Sequence, residues 1–216
     1  MSWSSGKDSA YALHRALGER AVDVRGLLVT MNGDADRVAM HAVRRSLLEV
    51  QAQRLDLPLH IVELPSPCPN EEYETRMAAA VSAARAEHVE RMVFGDLFLE
   101  DVRAYREQNL AGTGIAPVFP LFGEPTDRLA REMMAAGVRA VLTCVDPRVL
   151  PAEFVGRSFD EELLADLPAG VDACGENGEF HTFVWDAPGF RAPIDIELGA
   201  VVSRDGFVFR DILAVG

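Results

Sequence analysis

Residues 4–9 read Ser4-Ser5-Gly6-Lys7-Asp8-Ser9, and an amphipathic helical pattern begins inside them. A run of small residues lets backbone N–H groups approach an anion closely, and a helix N-terminus adds partial positive charge at the same point. Lys7 brings a full charge to phosphate oxygens, and Ser4 and Ser9 bring hydroxyl donors. Asp8 is acidic for a bare anion site. It reads either as a ligand for a hard cation such as magnesium or as a helix cap. The stretch is neither a Walker A loop nor a dinucleotide fingerprint, because G-x-x-x-x-G-K-[ST] and G-x-G-x-x-G are both absent.

Outward from the hexad, strand and helix patterns alternate. Ala10, Leu13, His14 and Leu17 share one face of a helix ending near Gly18, with His14 read as packed. Residues 22–30 read as a strand, and Asn32-Gly33-Asp34 as a turn. A helix is expected over 36–55, striped by Met40, Val43, Leu47 and Val50. Residues 59–64 read as a strand, 71–88 as a helix and 91–94 as a short strand entering Gly95-Asp96. Near-continuous apolar strands between amphipathic helices indicate an α/β fold, a parallel sheet covered on both faces. A parallel strand of ~5–6 residues should feed the phosphate loop, yet only Met1, Ser2 and Trp3 precede it here. The expectation is a strand clipped to a stub or a late start codon, with a longer form more stable.

The second half changes character. Residues 117–125 are an irregular Gly/Pro-rich crossing. Then come a helix over 126–136, a strand over 138–145 and a capping box at Ser158-Phe159-Asp160-Glu161. Residues 179–185 alternate like a strand, and 201–215 read as a hairpin around Arg204-Asp205-Gly206. The division is placed near Glu124, giving a nucleotide domain over 1–124 and a smaller α+β domain over 125–216.

Composition narrows the function classes. The chain has 216 residues, 34 acids against 21 bases and a net charge of −13. Nucleic-acid affinity rests on basic surface, so this balance argues against a tRNA-modifying enzyme and against a nucleic-acid partner. No apolar run of ~18 residues is present, so no membrane span is expected, nor is a secretory signal. Cys68, Cys144 and Cys174 are far apart, with no C-x-x-C, which suits a reduced, cytoplasmic protein without a zinc or iron–sulfur site.

A second constellation lies at Cys174-Gly175-Glu176-Asn177-Gly178-Glu179-Phe180-His181-Thr182. On a strand, Glu179 and His181 share one face and Phe180 and Thr182 the other. Such groups bind magnesium, position an amine or carry protons; an unplaced G-E-N-G equally reads as a solvated turn. Asp96 reads as a magnesium or ribose ligand or as a turn residue. Glu100, Arg103 and Arg106 read as substrate-recognition residues or exposed ion pairs. His41, Arg44 and Arg45 share a helix face that reads as a solvated face or as a basic lip for phosphate or an acidic substrate.

The hexad resembles the S-G-G-x-D-S pyrophosphatase loop of the adenine-nucleotide alpha-hydrolase superfamily, with Ser5 in place of the first glycine. The hexad, Gly95-Asp96 with Glu100 and Arg103 downstream, Pro120-Leu121 and the 175–182 stretch occur in the order seen in the diphthine–ammonia ligase family. The late G-E-x-G-E-[FY]-x-T pattern is the most diagnostic part. His181 stands where those ligases often show an acid, and with Ser5 this departure resembles a bacterial-type branch.

The resemblance implies a Rossmann-like, HUP-type nucleotide domain followed by a smaller α+β domain. It implies a carboxylate adenylated by ATP with Mg2+, then attacked by ammonia to give an amide. The nucleotide would be held by Ser4, Ser5, Gly6, Lys7, Asp8, Ser9, Thr30, Gly95 and Asp96, with Asp8 and Asp96 on the metal. Lys7, Glu176, Glu179 and His181 would be catalytic, and Glu100 and Arg103 would contact substrate. The partners are then a carboxylate-bearing small molecule or protein side chain and ammonia, with room for a homodimer. The alternatives are a non-catalytic adenine-nucleotide sensor and, behind it, the tRNA-modifying enzyme.

Overall fold

The computed structural model describes residues 1–18, 22–33, 37–38 and 43–215, the side chains of 37–38 excepted. The first helix, α1, is Lys7–Gly18, so it starts inside the hexad as the pattern requires. It buries Ala10, Leu13 and Ala16, while His14 is half-buried. β1 is Leu27–Asn32 and β3 is Leu59–Leu64, and they pair in parallel from Leu27↔Leu59 to Asn32↔Leu64. β1 is shorter at its start than the sequence suggests. Leu27 N donates to the Pro58 carbonyl, and the ladder begins at that pair.

After Gly33 the chain doubles back, and β2, Arg37–Val38, pairs antiparallel with Met31 and Asn32. This corrects the helix expected from residue 36: α2 is Arg45–Leu55. Val43 and Leu47 are buried as the stripe predicts, Val50 is half-buried, and Leu48 is buried beside them. The readings placed on Asp34, Asp36, Met40 and His41 lie outside the described residues.

α3 is Asn70–Ala86, β4 is Arg91–Val93, α4 is Glu100–Leu110 and β5 is Ala116–Val118, parallel to β4. Residues 1–3 stitch these strands together. Leu28 N donates to the Met1 carbonyl at 2.8 Å, Trp3 N to the Leu28 carbonyl at 2.8 Å and Ser2 N to the Val93 carbonyl at 2.9 Å. The stub therefore occupies the central strand position, and the order is β3-β1-stub-β4-β5. Crossovers run one way for α1 and α2 and the other for α3 and α4, so right-handed connections put the pairs on opposite faces. The order reverses at the stub, which is where α/β sheets bind ligands.

The C-terminal region is a four-stranded sheet in the order β7-β6-β9-β8, with antiparallel neighbours. It comprises β6 Arg139–Val145, β7 Phe180–Asp186, β8 Ile196–Arg204 and β9 Phe207–Ala214. α5, Thr126–Ala135, and α6, Glu161–Asp166, flank it. Asp160, not Ser158, caps α6, accepting from Leu163 N at 2.9 Å. Asp205 (φ 53°) and Gly206 (φ 83°) form the hairpin turn, the left-handed pair that Asp-Gly favours. One continuous core joins the two sheets, from Trp3, Leu13 and Leu47 to Phe180, Phe183 and Ile212.

Candidate active site

The phosphate loop is closed by its own hydroxyls. Ser9 Oγ donates to the Gly6 carbonyl at 2.9 Å, Gly6 N donates to Ser4 Oγ at 3.3 Å, and Ser4 Oγ lies 3.2 Å from Ser9 Oγ. The loop is also sewn to β7. Val184 N donates to the Ser5 carbonyl at 3.0 Å, and Lys7 N to Thr182 Oγ1 at 3.1 Å. Gln51, fully buried on α2, completes the seam: its Nε2 donates to the carbonyls of Ser5 (3.2 Å) and Val184 (2.7 Å). Its Oε1 accepts from Trp3 Nε1 at 2.9 Å. The sequence reading missed Gln51. Its signal was a polar residue on the stripe that buries Leu47, Leu48 and Ala52.

Lys7 is 2% exposed. Its Nζ lies 2.9 and 3.0 Å from the Asp8 carboxylate oxygens, donates to the Cys174 carbonyl and sits over the rings of Phe159 and Phe180 at 5.4 Å. Burial alone would lower the Lys7 pKa. The charges of Asp8 and Glu176 outweigh it and hold the ammonium above its ordinary value.

Gly95 lies directly against the start of α1. A Cβ there would fall 2.9 Å from the Asp8 carbonyl carbon and 2.9 Å from Ser9 N, so glycine alone lets this loop and the phosphate loop meet. Asp96 follows, its carboxyl raised by burial against the opposing pull of Arg106. Leu97 N donates to Glu176 Oε1 at 2.7 Å, which brings the third sequence segment into the site. Burial pushes Glu176 up to about 7; the Leu97 hydrogen bond opposes this and the Asp8 charge adds to it.

These groups line a cleft of about 1050 Å³ at the strand-order reversal. Ser4, Lys7, Asp8, Ser9, Thr30, Gly95, Asp96, Glu176 and His181 all border it. Ser5 and Gly6 lie behind, in the loop backbone.

Glu179 is placed differently. It precedes β7, is buried, and accepts from Asp172 N, Asn177 N and Asn177 Nδ2, each at 3.0 Å. Its carboxylate braces the loop instead of facing the cleft. Asp172, which sequence reasoning passed over, does the complementary work: its Oδ2 accepts from Cys174 N and Glu176 N at 3.0 Å. Glu100 and Arg103 also fall outside the lining. Arg103 pairs with Glu107 at 2.8 Å and stacks over Phe122 at 4.6 Å, while Arg106 is the α4 cation at the cleft. Cys68, Cys144 and Cys174 are free thiols, and burial pushes Cys144 up to about 12.

Known proteins carry the same two segments in the same order. A family model described as the diphthamide synthase N-terminal domain matches residues 1–115, and one described as the diphthamide synthase C-terminal domain matches residues 125–209. The chain belongs to the diphthamide synthase family. Among curated members, a human (Homo sapiens) diphthine–ammonia ligase is 27% identical over 231 residues, covering 97% of this chain and 86% of the relative. A diphthine–ammonia ligase of Danio rerio is 28% identical over 230 residues, covering 97% and 90%. That of Bos taurus is 25% identical over 231 residues, covering 97% and 86%. Within this diphthamide synthase fold, no described helix is long and apolar enough to cross a membrane. No group of three or more His, Cys, Asp or Glu among the described residues is arranged to hold a metal alone.

Proposed function

We propose that the chain is an ATP-dependent ligase of the diphthine–ammonia type, adenylating a substrate carboxylate and converting it to an amide. The observation that carries the reading is the convergence of the phosphate loop, Gly95-Asp96 and Glu176 on one cleft at the strand-order reversal. A carboxylate oxygen attacks the α-phosphorus of ATP, the bond to the bridging oxygen breaks, and pyrophosphate leaves. Ammonia then attacks the acyl carbon, AMP leaves, and one proton is lost.

The protein's part is positioning and charge stabilisation. Ser4, Ser9 and the loop amides face the phosphates, with Lys7 supplying the cation beneath them. Asp8 and Asp96 are hard oxygen donors, suited to magnesium shared with phosphate oxygens, since that ion takes one or two carboxylates and substrate phosphates. Bound there, magnesium supplies neutralisation of the departing charge. Thr30, within β1, borders the nucleotide. Glu176 and His181 lie on the amine side, and Glu176 accepts the proton. Asp172 and Glu179 hold the 172–179 loop in register.

The test is release of AMP and pyrophosphate from Mg-ATP on adding a carboxylate and ammonium. A ligase forms both products only when the carboxylate is present. A nucleotide sensor binds Mg-ATP in calorimetry and releases neither. Turnover that requires RNA points to the tRNA-modifying reading.

A further inference from the structure

The cleft extends beyond the phosphate loop. It continues between α3 and α4, over a floor that includes Leu28 and Met92 of the strands, with Met77 and Val81 on one wall and Val102 and Leu110 on the other. Its volume of about 1050 Å³ reaches the upper end of the ~300–1,000 Å³ usual for a single ligand. The residues assigned to the nucleotide lie outside this limb, whose apolar walls are broken by Glu74, Arg85, Gln108 and Asn109.

One guanidinium stands where the limb meets the reaction site. Val102 and Arg106 are four residues apart and share the cleft-facing side of α4, while Arg103 and Glu107 pair outside it. The Arg106 guanidinium is held over the Phe94 ring at 5.2 Å. Its only acidic neighbour among the described residues is Asp96, with Nε and Oδ2 3.7 Å apart, beyond hydrogen-bond length. Both atoms are buried and neither has a hydrogen-bond partner. A planar fork with spare donors, stacked on an aromatic ring beside an apolar channel, matches a carboxylate on an apolar stem.

We infer that Arg106 orients the attacking carboxylate of the acyl substrate and that the α3–α4 limb holds its stem. The inference rests on the adenylating-ligase reading. Arg106 hands one carboxylate oxygen toward the α-phosphorus, and the Phe94 ring keeps the fork in place before substrate arrives. The limb selects a carboxylate borne on an unbranched, largely apolar chain.

The experiment is calorimetric titration of butyrate, hexanoate and octanoate into protein saturated with Mg2+ and the α,β-methylene analogue of ATP. Wild type should bind more tightly as the chain lengthens, up to ~fourfold per methylene. Arg106→Gln should weaken hexanoate ~10-fold or more in protein still saturated with the analogue. Val102→Glu, which puts an acid on the wall of the limb, should abolish hexanoate binding, and it carries the test if Arg106→Gln does not fold. If the analogue binds wild type but no carboxylate follows, or carboxylates bind the variants equally well, the inference is overturned and the nucleotide site stands. If wild type does not bind the analogue, the ligase reading falls and this inference with it.

Discussion

Glu176 Oε1 accepts the backbone N–H of Leu97 at 2.7 Å, joining two segments 79 residues apart in sequence. The bond fixes the carboxylate between the loop after β4 and the phosphate loop. One oxygen is committed to Leu97, and the carboxylate borders the cleft.

That placement predicts a pH dependence. Burial raises Glu176 from 4.5 to about 7, Asp8 and Asp96 add to the rise, and Leu97 N–H and Lys7 oppose it. A proton acceptor must be ionised, so amide formation should rise as pH passes through about 7. Glu176→Gln should lower turnover and flatten that limb of the profile. Stability runs the other way. Between 4.5 and about 7 the folded state binds the proton that the unfolded state has lost. This contribution is fully present below 4.5 and disappears as pH rises through about 7. Parallel pH–rate and denaturation profiles for wild type and Glu176→Gln would check both signs; identical profiles exclude the role.

Lys7 and Asp8 form a pair that neither residue can leave alone. Lys7→Met strips Asp8 and the Cys174 carbonyl of their donor, and breaking a pair of which one member is fully buried should cost ~2–4 kcal/mol of stability. Asp8 is partly exposed, which keeps the figure below that of a wholly buried pair. The double variant Lys7→Met/Asp8→Asn removes the stranded charge and should regain much of the loss while staying inactive. Urea denaturation of both variants measures this. If the double variant is no more stable than the single, the pair is not the source of the cost.

Gln51 satisfies three buried groups with one amide: Trp3 Nε1, the Ser5 carbonyl and the Val184 carbonyl. Gln51→Leu preserves the packing volume but leaves them short of partners, at ~2–4 kcal/mol in all. Nucleotide affinity should fall too, because Ser5 sits in the phosphate loop. Calorimetry and urea denaturation on one preparation test the coupling. A variant that loses stability but keeps full affinity would show that the seam does not position the loop.

The parts of this site that could be read from sequence are those with local causes. Small residues at a helix start announce an anion site wherever they sit, and α1 begins at Lys7 as expected. What escaped was set by distant partners. Residues 1–3 are legible as a clipped strand, but their central place is set by Leu28 and Val93, which flank them. The turn at Gly33 is legible, but the helical stripe through Val43 and Leu47 hid β2, which pairs back onto Met31. Glu176 and Glu179 stand in one motif with opposite placements, since Asp172 and Asn177 claim the second carboxylate. Lys7 reads as a free cation, yet its carbonyl partner is 167 residues away.

Ser5 supplies the sharpest test of loop geometry. Its φ of 70° lies in the left-handed region, where a side chain is strained and glycine is not. Its Oγ is buried without a hydrogen-bond partner. The pyrophosphatase loop that the hexad resembles has glycine at this point, and the observed backbone explains why. Ser5→Gly should relieve the strain and remove the stranded hydroxyl, against the greater unfolded-state freedom of glycine, for a net gain of ~1 kcal/mol. The Ser5 carbonyl keeps its bonds to Val184 and Gln51, so nucleotide affinity should hold or improve. A lower urea midpoint in Ser5→Gly would mean that the hydroxyl contributes an interaction outweighing the backbone strain, and that serine is a working part of the loop.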